Sequence, residues 1–162
     1  EASFSILDLG TGSGAIAIAI ASERPNSKIV ATDINSDALD LARENANTHQ
    51  LNNIQFLLSN WYKNISSQSF DLIISNPPYV KKDDEHLLQG DVRFESELAL
   101  VAGNDGMKAI NIILDALKIL LAKERTILTM ASEANDEGTV ALMSDYIVEQ
   151  EKLVWMLSYY LE

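Results

Sequence analysis

A glycine-rich loop that follows a short apolar run constrains the fold of this chain more than any other feature. Four of the six residues 4–9 are large and apolar, as in a strand buried on both faces of a parallel sheet. The loop consists of Gly10, Thr11, Gly12, Ser13 and Gly14. Alanines and isoleucines then dominate up to Glu23, before a Pro-Asn pair. This order predicts a strand, a tight turn and a helix over residues 14–23, which is the start of a βαβ unit.

The rest of the chain repeats this alternation. Further strands are predicted over residues 28–32, 54–58, 70–75, 126–130 and 153–160. Helices are predicted over residues 36–47, with Ser36 as the candidate N-cap, over residues 107–122, and around Val140, Met143 and Ile147. Strands that alternate with helices indicate an α/β fold with a doubly wound, mostly parallel, Rossmann-like sheet and helices on both faces.

Composition narrows the class of protein. The 162 residues contain no repeat and no flexible linker, so we expect a single domain over residues 1–162. The absence of cysteine and the presence of only two histidines argue against a metal site. A net charge of −12 disfavours nucleic acid as a partner, since duplex-binding proteins normally carry a basic face. No apolar run is long enough to span a membrane.

Asp33 stands at the end of the second predicted strand, on the same sheet edge as the glycine loop. In parallel sheets ligands bind at this edge, and a carboxylate there can accept hydrogen bonds from ribose hydroxyls. A dinucleotide site requires G-x-G-x-x-G, whereas Gly10 to Gly14 read G-x-G-x-G. The latter spacing, led by Asp8, resembles motif I of class I S-adenosylmethionine (SAM)-dependent methyltransferases. The alternatives are a tight turn without a ligand and a carboxylate that caps a helix.

The fourth strand ends in Asn76-Pro77-Pro78-Tyr79, the most specific motif of the chain. Two prolines stiffen the loop and remove two N–H donors. The Asn76 side chain and the Pro77 carbonyl can each accept one N–H of an amide or amine NH₂ group, and the Tyr79 ring can cover a planar group. Such contacts suit methylation of a conjugated nitrogen, whose lone pair must be oriented toward the methyl donor. The alternative is a rigid turn.

Several segments together resemble the HemK/PrmC family, the peptide chain release factor N5-glutamine methyltransferases. They are residues 8–14, Asn60-Trp61-Tyr62, residues 75–79, Gly90-Asp91-Val92-Arg93-Phe94-Glu95 and Ala99-Leu100-Val101-Ala102-Gly103. The resemblance covers roughly residues 6–121. It departs from the family in two places: the helical N-terminal docking domain is not recognisable before Ile6, and residues 123–162 diverge after a turn expected at residues 122–125.

The resemblance implies a function and a set of site residues. The cofactor would be SAM, held by Gly10, Thr11, Gly12, Ser13, Gly14, Asp33, Ile34, Trp61 and Asn76. The substrate glutamine would lie against Asn76, Pro77, Pro78 and Tyr79, among which Asn76, Pro77 and Tyr79 would be catalytic. The partner would be a peptide chain release factor, methylated in its Gly-Gly-Gln loop by a cytoplasmic, monomeric enzyme without membrane contact.

Three other functions stay open at this point. The same asparagine and tyrosine could hold an adenine or guanine for methylation of its amino group. The chain could instead be a SAM-binding module with little catalysis, because its docking domain and the usual closing strands are not recognised. A dinucleotide-dependent oxidoreductase is disfavoured by the position of the third glycine.

Overall fold

A computed structural model describes residues 2–65, 69–90, 93 and 97–161. Within it the chain divides into two compact units, Glu1–Pro77 and Pro78–Glu162. Four residues of the family-like segment after Gly90, namely Asp91, Val92, Phe94 and Glu95, lie outside the described residues.

The first unit is built on a four-stranded parallel sheet. Its strands are β1 (Ser5–Leu9), β2 (Lys28–Asp33), β3 (Ile54–Leu58) and β4 (Leu72–Ser75), in the order β3-β2-β1-β4. β1 pairs in parallel with both β2 and β4, and β2 pairs in parallel with β3. β2 and β3 are thus added in succession on one side of β1, and β4 is added on the other side of β1. The doubly wound parallel sheet expected from the sequence is confirmed.

Two helices of this unit pack against the sheet and against each other: α1 (Ala15–Glu23) and α2 (Ser36–Thr48). Small residues make the packing close, since Ala17 and Ala21 of α1 are fully buried with Ile6, Ile29 and Ala31 of the central strands. The cap of α2 differs from the prediction. Asn35, not Ser36, is the N-cap, and its side chain accepts a hydrogen bond from the Asp37 N–H at 2.9 Å.

The second unit is helical. A 3₁₀ turn at Glu85–Leu88 and a short helix, α3 (Glu97–Leu100), precede two long helices, α4 (Lys108–Glu133) and α5 (Glu137–Tyr160). α4 and α5 contact each other extensively as an antiparallel hairpin. At the start of the unit, Val80 forms an isolated parallel bridge with Val101.

The strands predicted over residues 126–130 and 153–160 are wrong, and so is the turn predicted at residues 122–125. All three segments are helical: the first and third lie inside α4, and the second lies inside α5. Thr126 and Thr129 are β-branched residues that favour strands, but in α4 each hydroxyl donates to the carbonyl four residues earlier, at 3.1 and 3.0 Å. The helix predicted around Val140, Met143 and Ile147 is confirmed as part of α5.

None of the described helices is long and apolar enough to cross a membrane.

Candidate functional site

The register of the sheet brings four loops to one edge. Leu9, the last residue of β1, is paired with Thr32 on one side and with Ser75 on the other. Asp33 is paired with Leu58 at the end of β3. The glycine loop, Asp33, Ser59 and Asn76 therefore emerge side by side. The direction of winding changes between β1 and β4, which is where ligands bind in sheets of this kind.

Backbone hydrogen bonds and positive φ angles fix the conformation of the glycine loop. The N–H groups of Gly10 and Thr11 both donate to the Thr32 carbonyl at 2.8 Å, which fixes the loop to β2. Gly10 and Gly12 have φ of 72° and 56°, and a Cβ at either position would meet no atom within 4 Å. The space in front of these two glycines is free to admit a ligand against the backbone. A Cβ on Gly14, by contrast, would lie 3.0 Å from the Ala42 Cβ of α2.

Asp8 lies beneath the loop and is fully buried. Its Oδ2 accepts a hydrogen bond from the Thr11 hydroxyl at 2.7 Å, while its Oδ1 has no partner among the described residues. Burial raises the pKa of Asp8 above its ordinary value. The Thr11 hydroxyl and the Ala17 N–H oppose this shift, and the nearby Asp33 charge adds to it.

Asp33 connects the glycine loop to the start of α2. Its Oδ2 accepts a hydrogen bond from the Gly12 N–H at 2.8 Å, and its Oδ1 accepts one from the Asn35 N–H at 2.9 Å. A carboxylate oxygen can accept more than one hydrogen bond, so both oxygens keep capacity for hydroxyl donors. Ile34, the next residue, is exposed and apolar.

Trp61 lies on the loop after β3, in an unusual backbone conformation with φ of 52°. Ser59 holds it there: its hydroxyl donates to the Trp61 carbonyl at 2.6 Å and accepts from the Asn64 N–H at 3.1 Å. The Ser59 N–H itself donates to the Asp33 carbonyl at 2.8 Å. Through Ser59 the Trp61 loop is therefore tied to the end of β2. Burial raises the pKa of the neighbouring Tyr62.

The Asn-Pro-Pro-Tyr motif spans the boundary between the two units. Asn76 and Pro77 belong to the first, where the Ser75 hydroxyl donates to the Leu9 carbonyl at 2.9 Å and fixes the end of β4 beside the glycine loop. The Asn76 side chain is exposed. Pro78 and Tyr79 belong to the second unit, and the Tyr79 ring is 67% exposed.

Within the second unit, Gly106 packs against the backbone of this motif. A Cβ on Gly106 would lie 2.7 Å from the Tyr79 carbonyl oxygen, so only glycine fits there. Its φ of +78° also favours glycine.

The first unit thus brings together the predicted Gly10, Thr11, Gly12, Ser13, Gly14, Asp33, Ile34, Trp61, Asn76 and Pro77. Sequence reasoning left three supporting residues out of the site. They are Asp8, which bonds Thr11, Ser59, which holds Trp61, and Asn45, whose side chain donates to the Ser13 carbonyl at 2.9 Å. Polar residues immediately after or within buried strands were the available signal for Asp8 and Ser59, whereas nothing in the sequence marks Asn45.

These residues fit SAM. Open space before Gly10 and Gly12 accommodates a ligand against backbone, Asp33 offers acceptors for hydroxyl groups, and Trp61 offers an aromatic face. The first unit also has an apolar groove of about 640 Å³ lined by Phe4, Ile6, Ile20 and Leu72. That groove adjoins the starts of β1 and β4, at the end of the sheet opposite these loops, and has few polar groups to orient a cofactor.

Known proteins resemble a large part of this chain. A protein named release factor glutamine methyltransferase from Xylella fastidiosa (strain Temecula1) is 53% identical over 108 residues, covering 67% of this chain and 39% of the relative. The protein of that name from Escherichia coli (strain K12) is 53% identical over 105 residues, 65% of this chain and 38% of the relative. The chain therefore spans about two fifths of the length of these relatives, and they confirm the resemblance seen in the motifs.

A solved structure of TrmN from Thermus thermophilus is 36% identical, covers 49% of this chain and 25% of that one, and superposes with a TM-score of 0.45. A family model for a ferritin-like domain matches residues 85–162. The model for the methyltransferase small domain matches residues 1–97, which include the whole sheet and every loop at its ligand edge. The chain belongs to the methyltransferase small domain family.

Proposed function

We propose that this chain is the catalytic part of a SAM-dependent enzyme that methylates the side-chain amide nitrogen of glutamine in the Gly-Gly-Gln loop of peptide chain release factors. The relatives that bear this activity in their names support the proposal, since each is 53% identical over about two thirds of this chain. The observation that carries it is the register of the sheet, because Leu9 and Ser75 are paired and Asn76 therefore follows β4 beside the glycine loop.

The residues of the first unit would divide the work of holding the cofactor. The backbone of Gly10 to Gly14 would lie against its amino-acid part, and Asp33 would accept hydrogen bonds from its ribose hydroxyls. Trp61 and Ile34 would border its adenine. When bound, SAM supplies a methyl group on a positively charged sulfur. The carboxylates of Asp8 and Asp33 give this edge a favourable potential for a cation.

Asn76 and Pro77 would orient the amide nitrogen of the substrate. An amide nitrogen is a poor nucleophile because its lone pair is delocalised into the carbonyl. If the Asn76 side-chain oxygen and the Pro77 carbonyl each accept one N–H, the NH₂ group is held in one orientation. Its lone pair is then less delocalised into the carbonyl and can be directed at the methyl group. Proline at positions 77 and 78 keeps the loop rigid, so the acceptors need no reorganisation. Pro78 and Tyr79 would complete the glutamine pocket, as in the family that the motif resembles.

A methyl-transfer assay with labelled SAM tests the proposal. The substrates are a purified bacterial-type release factor, its variant with alanine in place of the Gly-Gly-Gln glutamine, and a duplex DNA. We expect label in the wild-type factor alone. Label in the DNA alone would overturn the proposal in favour of a nucleic-acid amino-methyltransferase. Binding of SAM without transfer to any of the three would favour a SAM-binding module.

The Asn76→Ala variant tests the assigned mechanism separately from cofactor binding. We expect its SAM affinity, measured by calorimetry, to stay within a few fold of the wild type. Its turnover should fall by about 100-fold or more, because an oriented acceptor in the reacting complex is lost. Turnover close to that of the wild type would show that Asn76 does not orient the amide.

A release factor as substrate further implies a cytoplasmic protein.

A further inference from the structure

The hairpin of α4 and α5 is joined by one continuous row of side chains, which we call the seam. In α4 the seam consists of Ile110, Leu114, Leu117, Leu121, Glu124, Leu128 and Ala131. In α5 it consists of Val140, Met143, Ile147, Gln150, Val154 and Leu157, and it continues to Leu161, the residue that caps the helix. Spacings of three and four residues alternate throughout, as in coiled coils. Glu124 and Gln150 form its polar layer, with the Gln150 amide donating to the Glu124 carboxylate at 2.5 Å.

An exposed ion pair identifies one side of this hairpin. Arg125 and Glu151 each follow a seam residue, and they contact each other at 2.5 Å. In antiparallel helices, the residues that follow the seam on both helices lie on the same side of the hairpin. The residues that precede the seam must therefore lie together on the opposite side.

That opposite side carries a second apolar face. In α4 it consists of Ile113, Ala116, Leu120, Ile127 and Met130, and in α5 of Leu142, Tyr146, Leu153, Met156 and Tyr160. Eight of these side chains are large and exposed, from Leu120 and Ile127 at 44% to Tyr160 at 65%. The exposed large apolar residues of the hairpin that lie elsewhere are Ile119, Val148, Trp155 and Tyr159. An exposed apolar stripe along two full helices is typical of an interaction surface.

Lys123 and Glu149 stand in the middle of the second apolar face. Each precedes one member of the Glu124–Gln150 layer, so the two lie at nearly the same height on neighbouring helices. Neither side chain forms an ion pair or hydrogen bond with another described residue. The face thus presents one positive and one negative group at a common level within an apolar surface.

We propose that this face binds a second copy of the chain to form a four-helix bundle. The two hairpins would be related by a two-fold axis parallel to the helices, which places α4 of each copy against α5 of the other. Lys123 of each copy would then face Glu149 of the other at the same level, so that the two-fold axis generates two Lys–Glu pairs per dimer. Every helix would bury two adjacent apolar rows, as four-helix bundles require.

The size of the face suits such a dimer. α5 has 24 residues and is about 36 Å long, and two adjacent helices are about 20 Å wide. The face thus measures about 700 Å² per copy, or about 1,400 Å² for both, which is within the range of stable specific interfaces. This dimer differs from the monomer expected from the sequence. It is independent of the proposed methyl transfer, since it uses only α4 and α5.

The mass of the chain in solution tests the proposal directly. Sedimentation equilibrium of the full chain from about 1 to 100 μM should give a species of twice 17.9 kDa. Leu153→Glu should raise the dimer dissociation constant by roughly 100-fold or more, because two carboxylates would be buried per dimer. Val148→Glu, an exposed apolar position on the other side of α5, is the matched control and should leave it nearly unchanged. A wild-type chain of 17.9 kDa at every concentration overturns the proposal.

A charge exchange tests the arrangement within the dimer. Lys123→Glu alone and Glu149→Lys alone each place like charges opposite one another, and each should weaken the dimer by about tenfold or more. The double variant, Lys123→Glu with Glu149→Lys, should restore the wild-type dissociation constant. If both single variants dimerise as tightly as the wild type, the two copies do not pack in this orientation. Far-UV circular dichroism checks that each variant retains its helices.

Discussion

Asp33 illustrates how one residue serves both the fold and the candidate site. Its two oxygens accept N–H groups from Gly12 and from Asn35, so it connects the glycine loop to the cap of α2. The sequence predicted its place at the edge of the sheet, because an acidic residue at the end of a buried strand has no role in the core. Its two backbone bonds depend on the loop conformation and could not be predicted.

Removing the Asp33 carboxylate should weaken SAM binding. We expect the dissociation constant of Asp33→Ala to rise about 10- to 100-fold, since hydrogen bonds to a charged group contribute about 1.5–3 kcal/mol. Asp33→Asn keeps one acceptor oxygen, so its dissociation constant for SAM should lie between those of the wild type and Asp33→Ala. Asp37→Ala, an exposed carboxylate in the first turn of α2, is the matched control. Calorimetry that gave the same affinity for Asp33→Ala and the wild type would contradict the ribose assignment.

The buried Asp8 should make the stability of the chain depend on pH. Burial raises its folded-state pKa above 3.8, so between 3.8 and that raised pKa the folded chain holds a proton that the unfolded chain has released. The stability that Asp8 contributes is therefore fully present below pH 3.8 and falls as the pH rises through the folded pKa. Relative to Asp8→Asn, the wild type should lose free energy of unfolding with rising pH across this window.

Urea unfolding of both proteins at several pH values measures this difference. Trp61 fluorescence in a Trp155→Phe background reports the unit that contains Asp8. The pH range should run from about 3.5 to about 7, because it must begin below the ordinary pKa of an aspartate. If the difference in free energy of unfolding between wild type and Asp8→Asn is constant over this range, the Asp8 pKa is not raised.

At the scale of elements, the sheet was predictable and the last helices were not. β3 has the predicted bounds, and β1, β2 and β4 differ from prediction by one or two residues at an end, because short apolar runs between turn signals define buried strands well. α4 was predicted to end near Ala122 because its apolar stripe was followed only as far as Leu121 and the family resemblance implied a turn at residues 122–125. Glu124 is in fact a buried seam residue, and only its Gln150 partner in α5 explains how the seam tolerates it.

The Glu124–Gln150 layer yields a prediction for the hairpin. Gln150→Leu leaves a buried carboxylate without its donor and should lower the free energy of unfolding by about 1–3 kcal/mol. The double variant Glu124→Leu with Gln150→Leu completes an apolar seam and should be at least as stable as the wild type. Glu151→Leu removes the exposed partner of Arg125 and should change stability by about 1 kcal/mol or less.

Denaturant unfolding followed by circular dichroism at 222 nm, the usual helix wavelength, gives these stabilities. Additive effects of the two leucine substitutions would contradict a direct interaction between Glu124 and Gln150.

At the scale of the whole molecule, each compact unit contains one of the two tryptophans: Trp61 in the first and Trp155 in the second. A ligand stabilises what it binds, by about 2.7 kcal/mol at 100 times its dissociation constant. Since the residues assigned to SAM lie in the first unit, SAM should raise the urea midpoint reported by Trp61 and leave that of Trp155 unchanged. With 5-fluorotryptophan, two ¹⁹F resonances follow both sites in one sample, and Trp155→Phe assigns them. Equal shifts of the two urea midpoints would mean that the two units unfold together. A Trp61 midpoint that does not respond to SAM would contradict the assignment of SAM to the glycine loop.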